Sequence, residues 1–352
     1  MPRRGEADEN SEVTPKRDPT MGDIAARLGV SRQLVSLALR DAPGASDETR
    51  ARVRQAAAEL GYRPHIGART LRQSSSRYLG VVFAPAHATE PDIVESIYPA
   101  AERCGYGVLL SAQTPSRSTE QAFDELHGHR CAAMIVIGSG LSAGRLAELA
   151  RRSLVPVVIV GAGVRNPDFD VVRSAGDVGV RLAVEHLVAL GHRDIIYLHC
   201  ASMAPAELRR KGYRAAMAEH GLPARIIRIT GDYTEESGAA AARELLAAQQ
   251  LPTAVVAGND QAAFGLILEL ARAGVAVPGR LSVTGFDDSR IAALTSVSLT
   301  TARQDPVEMG EAAVEAAVRR IRSGSLPPRE FVITPTLVVR GSTAPPRGPA
   351  QG

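Results

Sequence analysis

No apolar run in the chain approaches the ~20 residues that a membrane-crossing helix needs. The opening residues, Met1-Pro2-Arg3-Arg4-Gly5-Glu6, lead into Asp8, Glu9, Asn10 and Ser11 with no hydrophobic segment behind them. A secretory signal requires such a segment, so a cytoplasmic location is expected. Cysteine is scarce: Cys104, Cys131 and Cys200 are scattered and odd in number, which excludes a disulfide framework and fits a reducing compartment. Neither a Gly-x-Ser-x-Gly elbow nor a Gly-x-x-x-x-Gly-Lys phosphate loop is present. His186 and His192 stand six apart across a helix end at Gly191 and share no helical face. No enzyme, metal or cofactor chemistry is therefore expected, and His192 is placed beside the negative C-terminal end of its helix. After residue 342 there is no leucine heptad, which argues against a tail-built tetramer.

What is present fits a globular protein of two or three domains. The chain has 352 residues, 45% hydrophobic and 22% charged. The net charge of +3 is small but unevenly placed. Between Pro19 and Arg77 there are ten arginines against five acids, a surplus of +5 that exceeds the whole chain's. A basic module on a near-neutral body is the electrostatic footprint of nucleic-acid binding, although a solvated basic face has the same composition.

Residues 1–18, polar, charged and proline-containing, read as a disordered tail. From 19 to 63 the pattern is helical. Ile24 and Leu28 share a face before Gly29, a residue that adopts the left-handed backbone of a helix end. Ser31 restarts the helix as an N-cap, with Val35 and Leu39 inward and Arg32, Gln33 and Ser36 outward. Small Ala25 and Ala26 allow the two helices to cross closely. A third helix runs from Ser46 through Val53, Ala57 and Leu60 to Gly61. Residues 64–77 form a linker. Beyond it, apolar runs alternate with helix-length amphipathic stretches. The runs predict strands at 79–83, 107–111, 133–137, 156–160, 194–199, 225–229, 253–257 and 281–286. Helices are expected near 90–104, 118–128, 142–152, 176–190, 205–220, 234–249, 260–273 and 306–322. Strict βα alternation predicts parallel sheet covered by helices, either one barrel or two open sheets.

The helix pair places Arg32 and Gln33 on the first exposed turn of its second helix, where a recognition helix meets base edges in the major groove. Arg suits guanine O6 and N7, and Gln suits adenine N6 and N7. The segment Thr20-Met-Gly-Asp-Ile-Ala-Ala-Arg-Leu-Gly-Val-Ser-Arg-Gln-Leu-Val-Ser36, followed by Ala57-Ala-Glu-Leu-Gly-Tyr-Arg-Pro64, resembles the headpiece of the lactose/galactose-repressor family of bacterial transcriptional regulators. The resemblance continues in order through Ala68-Arg-Thr-Leu-Arg72, Glu185–His192, Gly258-Asn-Asp260, Val283–Asp288 and Leu299–Gln304, and covers residues 19 to about 342. It implies that Arg32 and Gln33 read bases, that Thr20 and Ser31 contact phosphate, and that Leu71 wedges into the minor groove between Arg69 and Arg72. Ser36 joins this DNA-binding face. Leu37 stands where the family has a base-reading arginine, leaving contact with a thymine methyl or none; Arg40 replaces an asparagine. The operator sequence therefore cannot be carried over.

For residues 78–342 the resemblance implies a periplasmic-binding-protein-like sensor of two doubly wound parallel-sheet subdomains. The first covers about 78–173 and 303–334, the second about 174–302 and 335–342, with 343–352 a disordered tail. Four residues match effector contacts: Arg209, whose fork suits vicinal hydroxyls or a carboxylate; Tyr233, which stacks on an apolar face; and Asn259 and Asp287, which read polar groups. Plainer roles stand beside these: Asn259 as a helix cap, Asp287 as a turn cap, Arg209 as a surface arginine, Tyr233 as a loop aromatic. The family's Asp-Asn after the first crossover is absent; Arg173-Ser-Ala-Gly-Asp177 takes its place. The whole implies a homodimeric repressor on double-stranded, near-palindromic DNA, gated by a small molecule, most often a sugar or its derivative. Two other classes use the same α/β domain, solute-binding proteins and sugar-modifying enzymes. The headpiece and the lack of an export segment count against them.

Overall fold

Local capping chemistry sets the first helices. In the computed structural model, which describes residues 19–62, 76–138, 140–161, 166–200, 205–229, 231–248, 251–323 and 326–346, Thr20 and Asp23 close a capping box ahead of α1 (Met21–Leu28). Ser31 accepts the Leu34 N–H at 3.1 Å and opens α2 (Arg32–Leu39), and Ser46 opens α3 (Asp47–Leu60). Gly29 and Gly61, at φ +65° and +69°, end α1 and α3. The three helices close on Ile24, Ala25, Val35, Ala38, Val53, Ala56 and Ala57. Leu28, Leu39 and Leu60 are only half-buried, and Ala26 is exposed, so Ala25 alone serves close crossing. Small residues occupy the centre of so small a bundle because they let the axes approach; the leucines seal its rim.

Residues up to Ser75 and those from Ser76 onward form separate compact units. The tail 1–18 and the linker from 64 to 75, with Arg69, Leu71 and Arg72, lie outside the described residues.

In the second unit, alternating strands and helices build two open six-stranded sheets rather than a barrel. The first contains β1 (Tyr78–Phe83), β2 (Gly107–Ala112), β3 (Ala133–Ile137), β4 (Val157–Val160), β5 (Asp170–Ser174) and β11 (Glu330–Ile333), in the order β11-β5-β4-β3-β1-β2. The second contains β6 (Ile195–Cys200), β7 (Arg225–Ile229), β8 (Ala254–Val256), β9 (Ser282–Asp287), β10 (Thr300–Arg303) and β12 (Thr336–Val338), in the order β12-β10-β9-β8-β6-β7. All pairs are parallel except β10 with β12. Helices α4 (Glu90–Arg103), α5 (Thr119–Gly128), α6 (Ala143–Arg152) and α11 (Pro306–Arg322) cover the first sheet. Helices α7 (Gly176–Ala189), α8 (Ala206–Glu219), α9 (Glu235–Ala247) and α10 (Asp260–Arg272) cover the second. Each sheet thus has an apolar layer on both faces, which defines two lobes. The chain passes between them three times: after β5, after β10, and between β11 and β12.

The eight strands expected from apolar runs are present, and β5, β10, β11 and β12 are additional. These four are short, and β10 hides its polarity: Thr300 and Thr301 are fully buried with hydroxyls bonded to Arg340 O (3.2 Å) and Asp260 Oδ1 (2.6 Å). Residues 343–346, expected in a tail, are instead strapped to lobe two. Thr343 Oγ1 meets His186 Nε2 at 2.9 Å, and Ala344 O accepts from His192 Nε2 at 2.9 Å and from Ser282 Oγ at 3.1 Å. Burial lowers the pKa of His192, so it acts as a neutral donor to this strap rather than as a cation at the helix end.

Candidate functional site

On the headpiece, the first turn of α2 exposes Arg32 and Gln33, while Ser36 and Leu37 are half-buried. Leu37 lies over Gly44, where an added Cβ would sit 3.3 Å from its Cδ1, so part of its surface is committed to packing. The basic surplus is not one uniform face. Arg27 pairs with Glu59, Arg54 and Arg50 converge on Asp41, and Arg50 also donates to Ala42 O at 2.7 Å. Arg40 donates to Ser36 O at 3.0 Å. Arg32 forms no ion pair among the described residues and is exposed at the first position of α2. Thr20 and Ser31 are both N-caps, and the Thr20 hydroxyl donates to Asp23 at 2.7 Å.

In the sensor, the shared strand order decides where a ligand fits. A doubly wound parallel sheet opens a crevice at the carboxyl ends of its strands, where the connections diverge. Both lobes turn these ends toward one cleft of about 1060 Å³, its open mouth included. Arg209, Tyr233, Asn259 and Asp287, three of them set just beyond strands or loops and one on α8, all line it.

Arg209 is not a surface residue. It is 5% exposed, its Cζ lies 3.8 Å from the centre of the Phe286 ring, and Nη1 donates to Gly258 O at 2.5 Å. Nη2 stands 3.7 Å from Asp287 Oδ1, and Nε is buried with no partner among the described residues. A buried donor without an acceptor costs ~1–3 kcal/mol. Asp287 follows with φ +123° and accepts from Gln304 Nε2 at 2.5 Å. Burial raises its pKa, and the Arg209 charge opposes that rise.

Asn259 and Tyr233 are committed to the protein. Asn259 caps α10, accepting the Ala262 N–H at 2.9 Å and donating to Tyr233 O at 3.1 Å. Tyr233 is 5% exposed; its hydroxyl accepts the Cys200 N–H at 3.1 Å, and its ring lies on Gly258, where any Cβ would collide with it. Arg209 and Asp287 carry the unspent hydrogen-bonding capacity of the lobe-two wall; Asn259 and Tyr233 give it shape.

Lobe one contributes residues to which the sequence assigned no effector contact. His87, in the turn after β1, and Glu90, at the start of α4, face the cleft, as do Arg173 and Ser174 at the end of β5, in the segment that replaces the family's Asp-Asn. Arg173 Nε donates to Glu330 at 2.6 Å, and Ser174 Oγ is buried without a partner among the described residues. Gly138, Gly161, Ile137, Val160 and Met309 make the rest of this wall small or aliphatic. From lobe two, Gln261 reaches over the mouth, accepting from Ala88 N at 3.3 Å and donating to Ala86 O at 3.4 Å. A short-range His-x-x-Glu spacing was the one sequence signal for the first pair; Arg173 and Ser174 were marked only as a departure from the family pattern, and nothing local marks Gln261. Among the described residues no cluster of His, Cys, Asp or Glu could hold a metal ion, and no helix is long and apolar enough to cross a membrane.

Comparison with known proteins places both units. Residues 20–65 match bacterial regulatory proteins of the lacI family, and residues 184–343 match the periplasmic binding protein-like domain. The HTH-type transcriptional regulator MalR of Streptomyces coelicolor is 35% identical over 336 residues, covering 92% of this chain and 96% of that protein. GalR of Escherichia coli, an HTH-type transcriptional regulator, is 32% identical with 93% and 96% covered. Among solved structures, the lac repressor dimer bound to operator and the anti-inducer ONPF superposes with a TM-score of 0.82 at 28% identity, over 93% of this chain and all of that one (100%). A LacI transcriptional regulator from a Rhodococcus species is 41% identical with a TM-score of 0.72, covering 76% of this chain and 99% of its own. With a capped helix pair in the first unit and a two-lobed cleft in the second, and with relatives alike over nearly the whole length, the chain belongs to the lacI family of bacterial regulatory proteins, DNA-binding transcriptional regulators and not enzymes.

Proposed function

We propose that the protein is an effector-gated repressor, a cytoplasmic homodimer whose two headpieces hold the half-sites of a near-palindromic operator. In this reading the headpiece is 19–63, the hinge 64–77 and the sensor 78–342. Arg32 and Gln33 read base edges, Thr20, Ser31 and Ser36 meet the backbone, and Leu37 contributes an apolar contact. Arg69, Leu71 and Arg72 engage the minor groove. The effector, a sugar or sugar derivative, sits between the lobes against Arg209 and Asp287, with Asn259 and Tyr233 shaping its seat. The solved relatives include a lac repressor with ONPG and the regulator CelR with cellobiose, which supports this ligand class.

The observation that carries the reading is the convergence of buried Arg209 and Asp287 on a cleft built from the carboxyl ends of both sheets. Closure around a ligand moves one lobe against the other, and a coupling of ~1–3 kcal/mol between cleft and operator is typical of such devices. The test is operator selection from random DNA with the full-length protein, repeated with pooled sugars and with Arg209→Ala. An enriched palindrome whose recovery changes with one pool, and no longer changes in Arg209→Ala, is expected. A palindrome indifferent to every pool refutes gating by this ligand class; no enrichment refutes sequence-specific reading. On the selected site, Arg32→Ala should cost about 1–3 kcal/mol and relax preference at its base.

A further inference from the structure

The lobe-one wall carries a titratable side chain held at one ring nitrogen and left open at the other. His87 Nδ1 lies 2.5 Å from Glu90 Oε1, and Glu90 Oε2 accepts the Ala84 N–H at 2.6 Å. Glu90 is 4% exposed, at the first position of α4, where the positive end of the helix stabilises a carboxylate. A Cβ on Gly138 would strike that carboxylate, so the glycine is what leaves Glu90 its place. A carboxylate fixed at Nδ1 places the proton there and sets the ring plane. Nε2 has no hydrogen-bond partner among the described residues, and the ring, with its side chain 30% exposed, lines the cleft. Facing it from the other lobe are Asp232, ahead of α9, and Asp287, at the end of β9. Arg173 and Arg209 complete the charged groups of the cleft.

We propose that His87, positioned by Glu90, is a specificity-determining residue of the effector site, donating from Nε2 to an oxygen of the effector opposite Arg209 and Asp287. The inference rests on the cleft being the effector site. Glu90 is a positioning residue: its hydrogen bond, followed by the charges of Asp232 and Asp287, raises the pKa of His87, while burial opposes them. The donating, protonated form is therefore populated closer to neutral pH than an isolated histidine allows. Effector affinity falls as pH rises through this pKa. Because Asp287 also titrates in a raised range, the pH profile alone does not assign the proton; substitution does.

The test uses the full-length protein with D-ribose, D-galactose, maltose and cellobiose as probes, titrated calorimetrically from pH 5.5 to 8.5. Whichever probe binds should weaken with rising pH in the wild type. Its affinity should drop roughly tenfold at low pH in His87→Ala, the loss of one charge-assisted hydrogen bond. His87→Gln, which keeps a neutral donor, should restore most of that affinity and flatten the profile, and Glu90→Gln should move the midpoint to lower pH. Affinity and profile unchanged in His87→Ala overturn the proposal while leaving the cleft in place. Binding undiminished in Arg209→Ala overturns the cleft reading itself. If none of the four sugars binds, nitrogen-15 spectra of the histidine rings decide. The Nδ1-protonated tautomer at high pH, with a midpoint lowered in Glu90→Gln, supports the arrangement, and the Nε2-protonated tautomer refutes it.

Discussion

The two lobes share a strand order yet treat a buried carboxylate in opposite ways. In lobe one, Asp170 is 0% exposed and neutralised: Arg319 Nη2 lies 3.0 and 3.1 Å from its two oxygens, and the Arg329 N–H donates at 2.5 Å. In lobe two, Asp260 is also 0% exposed, but its donors are the Thr301 hydroxyl at 2.6 Å and the Ser289 N–H at 2.7 Å, with no arginine in ion-pair range among the described residues. Burial raises its pKa, and the nearby Asp287 raises it further. Lobe one therefore locks its charge into the frame. Lobe two keeps a proton-holding pair, with Asp287 in the cleft wall and Asp260 behind it. A duplicated scaffold fixes positions; the electrostatics are assigned lobe by lobe.

The largest test of that contrast is Asp170→Asn. Removing one partner strands Arg319 in a poorly hydrated site, and breaking a buried pair costs about 3–5 kcal/mol. Denaturant unfolding of the two single variants should rank Asp170→Asn well below Asp260→Asn. Equal losses would erase the distinction between a neutralised and a protonated carboxylate.

Next comes the pH dependence of stability. A carboxyl whose folded pKa lies above its unfolded value binds its proton more tightly in the native state. Its contribution is full below the unfolded value of 3.8 and is lost as pH rises through the folded pKa. Wild-type stability should therefore decline from about pH 5 toward neutrality by up to about 1.4 kcal/mol per pH unit for one such group. Asp260→Asn should flatten much of that slope, the remainder belonging to Asp287 and His87. An identical slope in the variant would place the titration elsewhere.

Much of this arrangement was legible beforehand, for reasons visible in particular residues. Ser31, Gly29 and Gly61 announce the headpiece because caps and helix ends are local chemistry. Apolar runs such as Ala133–Ile137 announce strands buried on both faces. β10 escaped because Thr300 and Thr301 become buried only once Arg340 and Asp260 supply their bonds across 40 and 41 residues of sequence. The strap at 343–346 escaped likewise, since His186, His192 and Ser282 that hold it are distant in the chain. At the cleft, Arg209, Tyr233, Asn259 and Asp287 came through family resemblance, whereas nothing local brings out His87. Its ring is set by the buried Glu90, and burial is a tertiary fact.

The smallest effects probe how each lobe packs its helices. In lobe two, α9 and α10 cross through glycines: a Cβ on Gly238 would run into the carbonyl of Ala262, and one on Gly265 into that of Glu235. These obstacles are backbone and cannot swing aside, so Gly238→Ala should destabilise by about 1–3 kcal/mol through overpacking. It should also disturb Asn259 and Asp260, which open α10 beside the cleft wall. In lobe one, Gly144 lies inside α6 with nothing nearer its would-be Cβ than Ser142 Oγ at 4.0 Å. There glycine contributes no packing and loses more backbone freedom on folding than alanine would. Gly144→Ala should then stabilise by about 0.5–1 kcal/mol. Thermal unfolding of the pair reads both signs at once. A loss from both would mean that lobe one is packed as tightly as lobe two. A gain from both would mean that the α9–α10 crossing has room to open, and that the lobe-two wall is less rigid than its glycines imply.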